Sequence, residues 1–180
     1  MRLLAIPVLL LSLLAGCFRP AAEDRREGSG HAVLKVLADP SKYNPKMRQV
    51  VYVPAYAYVS WGLNEQIANL AATLSIRNVN MQDSIIVHSV RYFNSDGKEL
   101  RNFVPMLSEL GPGATADFVI QRDDNTGGTG ANFLVEWSSA ADVDEPVIEA
   151  VMVGNHGNSD VSFTSIGRVL PKASAKLPIR

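Results

Sequence analysis

The sequence contains only one cysteine, Cys17, so the chain cannot form an internal disulfide. It also lacks a surplus of either charge, because 17 Lys and Arg residues against 18 Asp and Glu residues give a net charge of −1. This balance offers no general attraction to DNA, RNA or anionic lipid, and nucleic-acid binding is therefore not expected. Charged residues, at 19%, are too few for a disordered chain, and 180 residues suffice for one folded domain with a tail.

What the sequence does have at its start is the pattern of a secretory signal. A basic start is followed by an apolar run at residues 3–14, which is shorter than the roughly 20 residues that cross a bilayer. The small residues Ala15 and Gly16 precede Cys17, and Leu14-Ala15-Gly16-Cys17 resembles the lipobox of bacterial lipoproteins. The resemblance implies a signal peptide at residues 1–16, cleavage between Gly16 and Cys17, and fatty chains on Cys17. The alternative is an ordinary cleaved signal with a chance cysteine.

Residues 17–47 are expected to comprise the lipidated cysteine and a tether. Several fatty chains together give stable attachment to a membrane. Residue 18 is Phe rather than Asp, and by analogy with enteric bacteria this favours the outer membrane, facing the periplasm, over the inner membrane. The charged cluster at residues 23–27 and the Gly-Ser-Gly sequence at 28–30 can bury little apolar surface. Residues 32–39 could form a short helix or a first strand.

The rest of the chain has the pattern of an all-β domain, with expected bounds at 48–171 and a C-terminal tail at 172–180. Short apolar or β-branched segments alternate with turn signals such as Gly111-Pro112-Gly113, and no long amphipathic helix is evident. This pattern predicts a single immunoglobulin-like β-sandwich of about seven to nine antiparallel strands. Its two sheets would enclose a core of alternating residues, namely Leu74, Ile76, Val90, Tyr92, Phe118, Phe133, Val135 and Trp137.

Two local features predict the register of the strands. The apolar parity switches near His88-Ser89, which predicts a β-bulge, because an extra residue restores the inward face. Asn94-Ser95-Asp96-Gly97 predicts a hairpin turn, because Gly97 can supply a positive φ. Residues 64–70 could begin a helix, but the alternation up to Ile76 favours a strand.

Several sequence blocks together resemble a known family. They lie at residues 52–56 (YVPAY), 72–78 (ATLSIRN), 95–97 (SDG), 128–133 (GTGANF), 136–137 (EW), 145–152 (EPVIEAVM), 163–165 (FTS) and 167–168 (GR). In this order they resemble domain-of-unknown-function family 3124, a group of short bacterial exported proteins and lipoproteins. The resemblance covers roughly residues 50–170 and implies an exported single domain, with no specific activity, cofactor or catalytic residue.

Metal-binding and catalytic patterns are weak. His31, His88 and His156 have no H-x-x-H or H-x-H spacing, so a metal site would need them to converge with distant carboxylates. The acidic clusters at 123–124 and 142–145 offer oxygen ligands of the type Ca²⁺ prefers, but they lack the spacing of an EF-hand loop. There is no G-x-S-x-G sequence to present a nucleophile. We therefore expect no metal, cofactor or catalytic residue.

Two segments are candidates for a binding surface. Tyr52, Tyr56, Tyr58 and Trp61 form the densest aromatic stretch, and Tyr52, Tyr56 and Tyr58 would share one face of a strand. They form either core and edge packing or an exposed site for a protein, peptide or glycan. Residues 127–132, which include Gly128 and Asn132, form either a flexible or bulged hairpin or the rim of a binding site.

These observations leave three functional hypotheses. The first is a non-enzymatic envelope lipoprotein, held to a membrane by its N-terminal lipid, whose sandwich binds another envelope protein or stabilises an assembly. The second is a periplasmic protein that binds a metal or small ligand through His88 or His156. The third is a hydrolase, which would need a pocket that joins a nucleophile, a base and oxyanion donors.

Overall fold

The computed structural model describes residues 33–62 and 66–171, which form a sandwich of two antiparallel β-sheets. The expected all-β sandwich is thereby confirmed. The described residues contain one 3-10 turn, Pro40–Lys42, and twelve strands: β1 (Lys35–Val36), β2 (Met47–Pro54), β3 (Tyr58–Trp61), β4 (Gln66–Arg77), β5 (Ile85–Phe93), β6 (Glu99–Asn102), β7 (Ser108–Leu110), β8 (Thr115–Ile120), β9 (Asn132–Ser139), β10 (Val147–His156), β11 (Ser159–Ile166) and β12 (Arg168–Val169). Their number exceeds the predicted seven to nine because β1, β7 and β12 have only two or three residues each.

The two sheets are built around long central strands. The seven-stranded sheet has the order β1-β7-β5-β9-β2-β12, and β6 pairs with β5 beyond the stretch that β7 occupies. The five-stranded sheet has the order β11-β10-β4, and β3 and β8 pair with successive stretches of the far side of β4. The strand predicted from the alternation at residues 70–76 is therefore the middle of this second sheet.

The core lies between the two sheets and is built from alternate residues of each strand. All eight residues predicted for it are buried: Leu74, Ile76, Val90, Tyr92, Phe118, Phe133, Val135 and Trp137. The intervening residues of β4 and β9 face outward, as the period of two in a strand requires. The alternation is thus the pattern of two sheets that each have one buried face.

The bulge and the hairpin turn that the sequence predicts are both present. The register between β5 and β9 shifts between Val87 and Ser89, so Val87 and Val90 both lie in the core although three positions separate them. The hairpin between β5 and β6 has Gly97 at φ 75°, and the Gly97 amide donates to the Asn94 carbonyl at 2.9 Å. The Asn94 side-chain oxygen accepts from the amides of Asp96 and Lys98, which closes the turn.

Residues before β2 also contact the sandwich. We expected a tether up to residue 47, and in the structure β1 pairs with β7 and Leu34 packs against the core, so part of this segment also contacts the sandwich. Residues 37–46, here called the strap, then run from the β1 edge to β2 across the outer face of the seven-stranded sheet. The Tyr43 hydroxyl shares a hydrogen bond of 2.8 Å with the Ser138 hydroxyl on β9, and the Lys46 amide donates to the Ser139 carbonyl at 2.9 Å. These long-range contacts have no local signal in the sequence.

The predicted signal peptide, Cys17 and the first part of the tether lie outside the described residues, as does the predicted C-terminal tail. Within residues 33–62 and 66–171, the structure contains no helix with the length and apolar character required to cross a bilayer.

Leu74→Ala should lower the free energy of unfolding by about 2–5 kcal/mol, because it leaves a cavity between the sheets. Thr73→Ala, on the outer face of the same strand, should change it by less than about 1 kcal/mol. Urea denaturation followed by tryptophan fluorescence measures both values. Equal costs at the two positions would contradict the assignment of the faces.

Candidate functional site

The aromatic stretch at residues 52–61 does not lie on one strand. Tyr52 is in β2 of the seven-stranded sheet, whereas Tyr58 is in β3 of the five-stranded sheet. The chain crosses from one sheet to the other through Ala55, Tyr56 and Ala57, so the prediction that Tyr52, Tyr56 and Tyr58 share one strand face is wrong. Pro54 marks the end of β2, as the sequence indicates, but it does not show which sheet the next strand joins. The side chain of Trp61 lies outside the described part of the structure.

The same crossing brings the two candidate binding segments together. The Ala55 amide donates to the Ala131 carbonyl, and the Ala57 amide donates to the Gly128 carbonyl, each at 2.9 Å. Asn132 pairs with Pro54 in the register between β9 and β2. Residues 55–58, 94–97 and 127–132 therefore meet at one end of the sandwich, and we call this surface the rim.

Ser95 fastens the glycine-rich loop of the rim to the hairpin between β5 and β6. The Ser95 amide and hydroxyl donate to the Gly127 carbonyl at 2.9 and 3.1 Å, and the same hydroxyl accepts from the Gly130 amide at 2.9 Å. A Cβ atom on Gly128 would lie 2.5 Å from the Ser95 hydroxyl oxygen, and Gly128 also has φ 75°. Two separate reasons, the positive φ and the close Ser95 hydroxyl, therefore favour glycine at residue 128. The loop is held by the hairpin beside it. Sequence reasoning identified the turn but missed this function of Ser95.

Tyr92 supports the rim from below. Its ring packs on Phe133 with centroids 5.0 Å apart, and its hydroxyl lies so close to Gly127 that a Cβ there would overlap it. Burial and, secondarily, the Asp124 carboxylate raise the pKa of Tyr92 to about 12, so the hydroxyl remains protonated under the loop.

The rim carries one aromatic side chain that is fixed at one side and partly open at the other. Tyr56 is half-buried, and its ring meets Phe163 of β11 edge to face, with centroids 5.5 Å apart. Rigid aromatic side chains contribute contact area to a partner at a low cost in conformational entropy. Tyr58, at the start of β3, is also half-buried. Chemically, this surface offers an aromatic ring beside a loop that is held by hydrogen bonds, which suits recognition.

His88 lies away from the rim, on the outer face of the seven-stranded sheet. Its Nε2 atom is 2.7 Å from the Ser138 hydroxyl, to which Tyr43 of the strap is also hydrogen-bonded. Burial and the neighbouring Arg48 lower the pKa of His88, although the Glu136 carboxylate opposes the shift. Ser138 is 0% exposed, so this serine–histidine pair presents no nucleophile that a substrate could reach. The chain of contacts from Tyr43 through Ser138 to His88 holds the strap on the sheet.

The structure does not bring the histidines together. His88 lies on the seven-stranded sheet, whereas His156 ends β10 of the five-stranded sheet and has Nε2 3.0 Å from the Gln66 side-chain oxygen. His31 lies outside the described residues. Asp124, from one of the acidic clusters, accepts from the Thr126 amide at 3.2 Å, which is a local turn contact. In the described ranges, no three His, Cys, Asp or Glu side chains are arranged to hold a metal ion.

Comparison with known families agrees with the sequence blocks quoted above. The family model described as "Protein of unknown function (DUF3124)" matches residues 48–170. The chain belongs to this family. The region that matches the DUF3124 model begins at the second residue of β2 and ends just after β12, so it includes all residues of the rim. The strap and β1 precede this region.

Among curated proteins, none matches the sequence of this DUF3124 chain. Among solved structures, the chain is similar to the protein titled "Crystal Structure of Thermotoga maritima 1070", with 13% sequence identity and a TM-score of 0.40. The similarity covers 67% of this chain and 92% of the other.

Gly128→Ala should destabilise the protein more than Gly97→Ala. Both glycines have φ 75°, so each substitution carries backbone strain of about 1–2 kcal/mol, but only a Cβ at residue 128 meets Ser95. In a Ser95→Ala background the cost of Gly128→Ala should fall to that of Gly97→Ala. Urea denaturation of the wild type, the single variants at residues 95 and 128 and their double variant measures the coupling, and Gly97→Ala is measured beside them. Strictly additive costs for residues 95 and 128 would contradict the proposed contact.

The burial of His88 should make stability depend on pH. The pKa of His88 in the folded protein lies below 6.5. As the pH falls below about 6.5, the unfolded chain therefore binds a proton at His88 before the folded chain does. The free energy of unfolding decreases in this pH range as a result. His88 can lower the free energy of unfolding by at most about 1.4 kcal/mol per pH unit. His88→Gln should remove that part of the slope. Denaturation of both proteins between pH 7.5 and pH 5 tests this, and parallel stability curves would refute it.

Proposed function

We propose that this DUF3124 protein is a lipid-anchored protein of the bacterial cell envelope that binds a protein partner through its rim and carries out no catalysis. The anchor would be the fatty chains on Cys17, and the preferred site is the outer membrane, facing the periplasm.

The anchor is supported by the sequence. The apolar run at residues 3–14 ends in Ala15-Gly16 directly before Cys17, which suits a signal peptide cleaved at a lipidated cysteine. A modified thiol also suits a chain whose single cysteine has no cysteine partner. Phe18 favours the outer membrane by the analogy with enteric bacteria.

The observation that carries the binding proposal is the construction of the rim. Three chain segments that are distant in sequence converge there, and Ser95 and the two alanine amides fix the glycine-rich loop in one conformation. A loop that is already fixed loses little entropy when a partner binds, so the rim is preorganised for recognition. Tyr56, fixed against Phe163, is the type of residue that dominates binding energy in protein interfaces.

The anchor is tested by Cys17→Ser in cells supplied with labelled palmitate. The wild-type chain should incorporate the label and sediment with membranes, whereas the variant should do neither, because it lacks the acceptor thiol. A variant that fractionates like the wild type, or an unmodified Cys17 thiol found by mass spectrometry, would exclude the lipoprotein assignment.

The rim is tested by a photo-crosslinking amino acid at residue 56 in intact cells, with the same group at exposed Thr164 on β11 as the matched control. One discrete partner should be captured from residue 56 and not from residue 164. Gly128→Ala should weaken this capture per molecule of membrane-bound protein, because it disturbs the loop and not the anchor. Equal capture from both positions, or capture that is insensitive to Gly128→Ala, would count against the rim.

A further inference from the structure

A second surface, which shares no residue with the rim, lies at the β1 edge of the seven-stranded sheet. A cleft of about 150 Å³ opens there between β1 and the connection from β6 to β7. It is lined by Leu34, Val36, Phe103, Val104, Pro105, Met106 and Ser108. None of these residues belongs to the rim.

The side chains that line the cleft are apolar apart from Ser108. Its one lining hydroxyl, on Ser108, donates to the Met106 carbonyl at 2.8 Å and is thereby satisfied. Exposed apolar side chains also lie around the cleft, since Val36 and Met106 are each 55% exposed and Val33 is 40% exposed, with the exposed Lys35 between the two valines. Exposed apolar side chains gathered around an apolar cleft indicate contact with an apolar phase or partner.

We infer that this edge rests on the lipid surface of the membrane that holds the chain, with Val33, Val36 and Met106 in contact with the acyl region. The inference rests on the proposed function for the anchor at Cys17. It adds an orientation for the sandwich, with the β1 edge against the bilayer and the rim left available.

The position of the edge in the chain supports lipid as the occupant. Val33 follows Cys17 by sixteen residues, so even a fully extended segment keeps the edge within about 58 Å of the anchor. Attachment by a short segment makes the contact with the bilayer intramolecular, and a small apolar surface then suffices, since its effective concentration near lipid is high. The first described residues, including β1, lie at this edge. The edge is therefore the part of the sandwich nearest to Cys17 along the chain.

The edge is poorly suited to another strand. β1 has only two residues, and Pro105 beside it has no amide hydrogen to donate. A short edge and a proline are features that discourage strand addition by a second copy. The apolar side chains, rather than the main chain, are therefore the groups that this edge offers.

The test uses the mature lipidated protein in vesicles of phosphatidylethanolamine and phosphatidylglycerol. A cysteine introduced as Val36→Cys carries an environment-sensitive fluorophore, and Ile166→Cys, 78% exposed on the opposite edge strand β11, is the matched apolar control. Acylated Cys17 does not react with the label. The label at residue 36 should shift to shorter wavelength and be quenched by brominated acyl chains, and the label at residue 166 should show neither effect.

A second pair of variants checks the cause. Met106→Asp should reduce the quenching at residue 36, whereas Met81→Asp, at a methionine that is 79% exposed elsewhere, should leave it unchanged. Thermal unfolding of each variant shows whether the fold is retained.

The outcomes separate this inference from the proposed function. Protein that floats with the vesicles but shows no quenching at residue 36 overturns the inference and leaves the anchor in place. A spectral shift without quenching also overturns it, since a second copy or the protein's own acyl chain would then fill the cleft. Protein that does not float, with Cys17 free to take the label, overturns the proposed function itself.

Discussion

The extra residue at His88 is the constraint on which the rest of this sandwich depends. Before it, Ile85 and Val87 of β5 face the core, and after it Val90 and Tyr92 do so, although the two pairs have opposite parity in sequence. A regular strand would turn Val90 and Tyr92 outward and lose two of the buried side chains, each of which contributes roughly 1.5–3 kcal/mol when fully buried. The bulge also leaves His88 on the outer face, where it meets the Ser138 hydroxyl under the strap.

The two ends of β5 therefore control two different surfaces. Toward its C-terminal end, Tyr92 lies under Gly127, and the hairpin that follows supplies Ser95 to the loop of the rim. Near its N-terminal end, His88 and Ser138 form the contact that holds Tyr43. A change in the register of this one strand would displace both the rim and the strap, so their stability is coupled through the core rather than through any direct contact.

The features that could be predicted from the sequence are those with a local cause. The alternation at residues 70–76, the parity switch at His88 and the turn at residues 94–97 each result from the geometry of neighbouring residues, and the structure contains all three. Ser95 is hydrogen-bonded to a carbonyl group 32 residues away, and Tyr43 is hydrogen-bonded to a hydroxyl group 95 residues away. No pattern in a single sequence indicates such pairs. The crossing at residues 55–57 could not be predicted either. A proline indicates where a strand ends, but it does not indicate which sheet the chain enters next.

The strap gives the proposed anchor a mechanical consequence. A segment attached only at β1 would pull on a two-residue strand, which is held to β7 by few hydrogen bonds. The strap continues from β1 across the sheet to β2, and it is hydrogen-bonded to Ser138 and Ser139 of the central strand β9. A pulling force applied at residue 33 is therefore shared between β1 and β9. The same path leaves the rim undisturbed, since its hydrogen bonds join residues 55–57, 95 and 127–131 and involve no residue of the strap. A sandwich built in this way can rest one edge on a bilayer and still present a rigid surface to a partner.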